Sequence, residues 1–276
     1  MKELMMHPAF QAGAAPFIIG LIAAILLFRG PKNRSGLAVI FGFLVTVYLV
    51  MGFSFEPLNS TRKIVLLGIF AALVGLILDA LPFLKRVSLS ALAIMGIAAT
   101  LWLFWPLITN QPLGDILLPV ALLALYTAWL LVAFGSMDKH PAMQGGAGLL
   151  ALGIGTGISA LIGASALYGQ LGSAVAAAVG AFLLLHVFLE EETPTGFTVI
   201  VISVTICALI GVGAHKYAQL TWTALPLLAS IPLVVRIPLP EYWSNSLRGL
   251  TWFALASLPA AMAIYLTWQS AGDMPF

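Results

Sequence analysis

The chain has 276 residues, of which 61% are apolar and only 8% are charged, and its net charge is +2. Soluble domains carry about 25% charged residues, so 12 Lys and Arg with 10 Asp and Glu are too few to solvate the surface of a globule of this size. The composition therefore predicts an integral membrane protein and argues against nucleic-acid binding and a soluble catalytic domain. Because Cys207 is the only cysteine, it also argues against a disulfide framework.

Ten apolar runs, separated by short polar breaks, follow one another along the chain. A helix needs about 20 residues to cross a hydrocarbon layer about 30 Å thick, and a spanning segment has to satisfy its own backbone hydrogen bonds. The runs are therefore predicted to be transmembrane helices, at residues 10–28, 36–53, 64–84, 87–107, 116–134, 147–168, 171–189, 197–214, 220–235 and 247–268. Nine spans is the alternative, since the break at Lys85-Arg86 is very short and the ninth run contains Pro226 and Pro232.

The distribution of positive charge predicts the orientation. One set of alternate loops carries eight Lys and Arg residues, and the other set carries four, namely Lys2, Arg62, Lys63 and Lys216. The side with more positive charge usually faces the cytoplasm. Both chain ends are therefore expected on the non-cytoplasmic side, and the expected location is a bacterial cytoplasmic (inner) membrane.

A short motif occurs once in each half of the sequence. Residues 7–14 read His-Pro-Ala-Phe-Gln-Ala-Gly-Ala and residues 140–147 read His-Pro-Ala-Met-Gln-Gly-Gly-Ala, so six of eight positions match at an offset of 133. The same offset maps runs one to five onto runs six to ten. This self-similarity indicates an internal duplication.

A duplicated unit with an odd number of crossings enters the membrane in opposite senses. The sequence therefore predicts an all-α, polytopic transmembrane bundle built as a 5+5 inverted-topology repeat. Residues 1–135 are the first five-span repeat and residues 136–276 the second, within one membrane domain. Inverted repeats are a recurring construction of secondary transporters.

Spans one and six carry the interruptions by Gly and Pro that mark binding sites in such transporters. Pro16 removes a helical hydrogen bond, and each of the alternating glycines Gly153, Gly155 and Gly157 weakens a helix by about 1 kcal/mol relative to Ala. The alternative is close packing, because glycines four residues apart also form small-xxx-small helix contacts. If the spans are unwound, the predicted substrate-binding residues are Gln11, Pro16, Gly20, Gln144, Gly153, Gly155, Thr156 and Gly157.

Each motif also places a His and a Gln four residues apart, on one helix face. The pairs are His7 with Gln11 and His140 with Gln144. In the structural interpretation, His-Pro begins a helix, where the missing proline N–H is harmless, and the Gln bonds to a neighbouring helix. In the functional interpretation, the two pairs are gates at the two mouths of one pathway.

Two ionisable side chains fall within predicted spans, Asp79 in the third and His186 in the seventh. Ionisable groups inside a membrane are candidates for function, so both are predicted gating or coupling residues, with Asp79 the better candidate for proton coupling. The structural alternatives are that Asp79 reaches the interface beside Lys85 and that His186 pairs with Glu190 one helical turn later.

The sequence contains no zinc-binding helix, phosphate-binding loop or second intramembrane histidine for haem, so no metal, cofactor or enzyme activity is predicted. Two functions remain. The first is a secondary carrier or permease for a small neutral or amphipathic solute that binds between spans one and six. The alternative is a non-catalytic subunit of a larger membrane complex, which docks partner helices through the Gly/Ala-rich faces of spans six and seven.

Overall fold

The computed structural model of the chain describes residues 7–28, 34–81, 83–84, 88–163, 165–189, 193–240 and 242–271. Within these ranges the chain is helical, with short connections and no β-strand. The helices are α1 (Ala15–Phe28), α2 (Ala38–Met51), α3 (Ser60–Ala80), α4 (Ser88–Asn110), α5 (Leu113–Gly135), α6 (Ala142–Ile162), α7 (Ala166–Leu189), α8 (Phe197–Tyr217), α9 (Ala224–Val234) and α10 (Asn245–Ala271). A π-helical turn, Phe10–Ala14, leads into α1, and a 3₁₀ turn, Arg34–Leu37, leads into α2.

In the described part of the chain, nine helical segments are long and apolar enough to cross a membrane. The tenth helix, α9, has 11 residues, about 16 Å of helix at 1.5 Å per residue. The prediction of an all-helical fold is confirmed for the described residues, and their nine long apolar helices support an integral membrane protein. The helix boundaries differ from the apolar runs by up to six residues, most notably in α6, which begins five residues and ends six residues before the run at 147–168, while α3 begins four residues before the run at 64–84.

Helix α8 forms the centre of the bundle. In the most apolar 18 residues of α8, every residue is buried. In the spans that contain α1 and α10, only 28% of the residues in the corresponding stretch are buried. It packs against α3, α5, α6 and α7. A helix that is apolar on every side is expected in such a position.

The other helices pack around α8 in pairs. Helix α1 lies against α2 and α7, α6 lies against α7 and α10, and α4 lies against α5. Consecutive helices α3 and α4 make little contact with each other, because α3 packs mainly on α8 and α4 mainly on α5. The α3–α4 seam is therefore a loose junction between neighbours in sequence.

Two glycines allow other segments to approach the start of α8. A Cβ at Gly75 of α3 would lie 2.7 Å from the Cα of Thr198, and a Cβ at Gly36 would lie 2.7 Å from the backbone nitrogen of Val199. Distances below 3 Å to backbone atoms leave no room for a side chain. These two glycines are required by the packing around the central helix.

Replacing Gly75 with Ala is expected to lower the stability of the protein by about 1–3 kcal/mol, because the added methyl group overpacks the backbone of α8. The midpoint of thermal unfolding in detergent measures the effect. Gly114→Ala is the matched control, since a Cβ there meets nothing within 4 Å, and alanine favours the helix. Equal midpoints for the two variants contradict the packing argument.

Candidate functional site

The two His-Pro-Ala-x-Gln motifs lie at opposite ends of the bundle. At the first, the Nε2 of Gln11 donates a hydrogen bond to the carbonyl of Leu49, 3.3 Å away, near the end of α2. At the second, the Nε2 of Gln144 donates to the carbonyl of Val235, 2.8 Å away, at the end of α9. Both glutamines therefore link the start of one helix to the end of another, as in the structural interpretation of the motif.

The histidines of the motifs take part in helix starts and in a connection. The carbonyl of His7 accepts hydrogen bonds from the first helical N–H groups that follow it. The carbonyl of His140 accepts from both the backbone nitrogen and the hydroxyl of Thr195, at 2.8 and 2.9 Å, which fastens the α7–α8 connection to the start of α6. A role of either histidine as a gate stays a prediction.

The first span is locally irregular, as its proline predicts. In the π-helical turn Phe10–Ala14, the nitrogen of Ala15 bonds to the carbonyl of Phe10, and Pro16 has no N–H to donate. The carbonyl of Gln11 instead accepts a hydrogen bond of 2.6 Å from the hydroxyl of Thr46 on α2. The Thr46 side chain of the neighbouring helix therefore satisfies the Gln11 carbonyl, which lies one π-helical turn before Pro16.

The sixth span is a continuous helix, so its glycines do not form an unwound segment. Positions for a Cβ at Gly153 and Gly157 lie 3.0 Å from Ala176 and 2.8 Å from Ser173 of α7, and that at Gly155 lies 2.8 Å from Leu228 of α9. These glycines lie where helices touch, which is the packing alternative.

The predicted binding residues of spans one and six are not brought together. Gly20 of α1 approaches Ala178 of α7, where a Cβ would lie 3.3 Å from its Cα. Helix α7 thus packs against both α1 and α6, while these two helices have no extensive contact in the described ranges. A site formed directly between spans one and six does not fit this arrangement.

Asp79 caps the start of the central helix. Its two carboxylate oxygens accept hydrogen bonds from the backbone nitrogens of Phe197 and Thr198, at 2.9 and 2.8 Å, and from the Thr198 hydroxyl at 2.6 Å. The first N–H groups of a helix have no partner within the helix, and a negative charge there is favourable. The geometry gives Asp79 a structural role in holding α3 to α8.

His186 is 3% exposed and lies near the ends of α1 and α7. Its Nδ1 is 2.8 Å from the carbonyl of Phe182, one turn earlier. The imidazole also contacts the rings of Phe182 and Phe28, with centroids 4.3 and 6.2 Å apart. The predicted partner, Glu190, lies outside the described residues.

Besides those of Tyr126 and Thr193, four buried hydroxyl groups in the described part of the chain have no hydrogen-bond partner. They belong to Thr156 and Ser159 on α6 and to Ser203 and Thr205 on α8, two helices that pack together. Other buried threonines bond to the carbonyl four residues earlier, as Thr100, Thr127 and Thr267 do. A buried polar group without a partner costs about 1–3 kcal/mol, so the hydroxyl of Thr156, a predicted binding residue, requires an explanation other than stability.

A crevice opens between α3 and α4. Its mouth is a cavity of about 470 Å³ that Asn59, Ser60, Lys63, Asn110, Gln111 and Tyr217 line, among others. Deeper along the same two helices lies an apolar groove of about 610 Å³, lined by Leu67, Phe70, Val74, Ile94, Ala98 and Trp102, among others. We call the mouth and the groove together the α3–α4 crevice.

Lys63 lies at the junction of the mouth and the groove. It is 6% exposed, and its Nζ donates a hydrogen bond of 2.8 Å to the carbonyl of Trp102 and lies 5.5 Å from the centre of that ring. Pro106 lies inside α4 and cannot donate a hydrogen bond to the Trp102 carbonyl one turn earlier. The ammonium of Lys63 therefore occupies the place of the missing helical hydrogen bond.

From the sequence, Lys63 is assigned to the loop charges, and this site is not predicted. The apolar run begins at Ile64, but α3 begins at Ser60, where the side chain of Asn59 accepts a hydrogen bond from the backbone nitrogen of Arg62. Asn is a preferred N-cap residue. Two features of the sequence could have predicted this site. Asn59, as a helix cap, places Lys63 inside a helix, and Pro106 in the next span leaves a carbonyl one turn earlier without its helical donor.

No protein-family model matches this chain, and no curated protein shows significant similarity to it.

Replacing Asp79 with Asn is expected to lower the stability of the protein by about 1–3 kcal/mol, because one amide oxygen cannot replace two charged acceptor oxygens. Thermal unfolding in detergent measures the loss. Asp115→Asn is the control, since Asp115 is exposed in the first turn of α5, where its effect is about 0.3–1 kcal/mol. An Asp79→Asn variant as stable as the Asp115→Asn variant contradicts the capping role.

Replacing Thr156 with Val removes an unpartnered hydroxyl and keeps the side-chain shape, so the unfolding midpoint is expected to stay the same or to rise. Thr100→Val is the control, because the Thr100 hydroxyl bonds to Gly96 and Thr127, and its removal is expected to cost about 1 kcal/mol. If both variants lose equal stability, the Thr156 hydroxyl has a partner in the folded protein.

Proposed function

We propose that this protein is a secondary carrier for a small neutral or amphipathic solute and that it catalyses no chemical reaction. The observation that carries the proposal is the α3–α4 crevice. It combines a polar mouth at one end of the bundle with an apolar groove along the two helices. A solute with a polar part and an apolar part fits such a site better than a strictly hydrophilic one.

The packing around the crevice favours a moving part. Helix α3 is fastened to the central helix α8, both by Asp79 and by the close approach at Gly75. Helix α4 is packed on α5 instead. Alternating access in carriers is largely a rocking of one helix bundle against another, and the α3–α4 seam, with its few contacts, is where such a motion meets the least resistance.

The proposal includes ten crossings. The ring of Trp222, just before α9, contacts the ring of His215 at the end of α8, with the centroids 4.0 Å apart. Arg236, just after α9, donates a hydrogen bond of 2.7 Å to the carbonyl of Ala133 at the end of α5. Helix α9 and its flanking residues therefore run from the end of the bundle where α8 ends to the end where α5 ends, which supports a tenth, shorter crossing.

The proposal also includes the inverted repeat. In a pseudo-two-fold arrangement, equivalent helices meet across the axis, and α2 contacts α7 while α3 contacts α8. Equivalent pairs also recur, since α1 packs on α2 as α6 packs on α7, and α4 on α5 as α9 on α10. The contacts of α6 with α10 and of α1 with α7 have no comparable counterpart between α1 and α5 or between α2 and α6 in the described ranges, so the helix contacts support the repeat only in part.

The expected setting of the carrier is a bacterial cytoplasmic membrane. With ten crossings both chain ends lie on the same side, and the charge distribution favours the non-cytoplasmic side for them. The mouth of the α3–α4 crevice, at the start of α3, then opens toward that side.

The alternative of a subunit in a membrane complex is less favoured by the packing. Its predicted docking surfaces were the small-residue faces of spans six and seven. Ala174 and Ala178 of α7 are fully buried, and Gly153 and Gly157 of α6 touch α7 within the chain. These faces are already used inside the bundle, so a partner helix would have to bind elsewhere.

Purified protein in liposomes is expected to move at least one member of a panel of labelled amphipathic solutes. Ala98→Trp is expected to reduce this flux to the level of protein-free liposomes, because Ala98 lines the apolar groove and is exposed, so the indole fills the crevice without entering the core. Ala254→Trp is the control, since Ala254 is equally a lipid-accessible alanine, on α10. The proposal fails if the wild-type protein moves no solute, or if the two Trp variants carry the same flux.

A further inference from the structure

Lys63 is a buried cation without a counter-ion in the described part of the chain. Its ammonium contacts one carbonyl oxygen and one aromatic ring, both of Trp102. An ammonium has three donors, and one carbonyl accounts for one of them. A buried charge is costly unless it is paired. An anion bound next to Lys63 would therefore be favourable.

The described residues around Lys63 supply further polar groups but no negative charge. The mouth contains the amides of Asn59, Asn110 and Gln111 and the hydroxyl of Tyr217, which can donate hydrogen bonds to an oxyanion. The adjacent Arg62 has a buried Nε without a partner. The mouth is therefore suited to a negatively charged head group with several acceptor oxygens.

The groove beside Lys63 is apolar and open at the side of the bundle. Phe70 and Ile94, two of its lining residues, are 51% and 67% exposed. From Lys63 to Val74 the groove follows eleven residues of α3, about 16 Å at 1.5 Å per residue. This is roughly half of a hydrocarbon core about 30 Å thick, the depth of one leaflet.

We propose that the α3–α4 crevice binds an acidic membrane lipid, with its anionic head group paired to Lys63 and one acyl chain along the apolar groove. This inference rests on the proposed function in that it assigns a ligand class to the same crevice. Charge complementarity selects an acidic lipid, because a zwitterionic head group brings its own cation to a mouth that already holds one. The open side of the groove lets the chain enter from the bilayer.

The test compares phosphatidylglycerol with phosphatidylcholine of identical acyl chains, bound to the purified full-length protein and measured by native mass spectrometry. The wild-type protein is expected to prefer phosphatidylglycerol. Lys63→Met is expected to weaken phosphatidylglycerol binding about tenfold, the effect of one charge-assisted contact, and to abolish the preference. Lys139→Met, at an exposed position between α5 and α6, removes the same charge elsewhere and is expected to leave the preference unchanged.

A folded Lys63→Met protein that keeps the wild-type preference overturns the proposal. If that variant does not fold, Ala98→Trp decides, since it leaves Lys63 in place and fills the groove. Loss of phosphatidylglycerol binding in Ala98→Trp, with binding retained in Ala254→Trp, supports a lipid in the crevice, and unchanged binding in both overturns it.

Free glycerol phosphate separates a lipid from a soluble anion. Its phosphate carries at least the negative charge of the phosphatidylglycerol head group but no acyl chain, so it is expected not to compete with phosphatidylglycerol, and equal competition overturns the lipid proposal. The binding experiment measures no flux. Failure here therefore leaves the liposome result standing, and a protein that binds acidic lipid but moves no solute overturns the carrier proposal alone.

Discussion

A helix that is buried on every side begins where no water can satisfy its first N–H groups, and α8 is in that position. The carboxylate of Asp79 supplies the acceptors for Phe197 and Thr198. Because this carboxylate belongs to the end of α3, the cap also fixes the depth and direction of α3 against α8. Helices α5, α6 and α7 also pack directly on α8, so this cap lies at the contact on which the centre of the bundle is built.

The residues that were predicted to bind a solute in spans one and six are largely occupied by this packing. Gly20, Gly153 and Gly157 bring α1 and α6 against α7, while Gln11 and Gln144 bond to the ends of neighbouring helices. In a lipid environment helices associate through close packing and hydrogen bonds, since the hydrophobic effect does not drive them together. Small residues and amides are therefore used first for association, and the less tightly packed α3–α4 seam is left as the place where a ligand fits.

Hydropathy was sufficient to predict the helices and the membrane setting, because every spanning segment has to be long and apolar. It could not identify α8 as the central helix, since most of the ten runs are comparably apolar and burial depends on contacts between distant segments. Gly153 to Gly157 stayed ambiguous, because unwinding and close packing favour the same residue. Lys63 was missed for a different reason: the helix begins at its Asn59 cap, and hydropathy does not register caps.

The two proline-disturbed helices show what distinguishes the α3–α4 crevice. In both, a side chain of a neighbouring helix donates a hydrogen bond to a carbonyl one turn before the proline. The Thr46 hydroxyl donates to the carbonyl of Gln11, before Pro16. The Lys63 ammonium donates to the carbonyl of Trp102, before Pro106. A neutral hydroxyl completes such a carbonyl without placing a charge in the protein. The Lys63 ammonium satisfies the Trp102 carbonyl but buries a positive charge. The missing helical hydrogen bond alone does not require a charged donor. The charge itself therefore needs a partner, and the apolar groove beside it defines what kind of molecule can bring one.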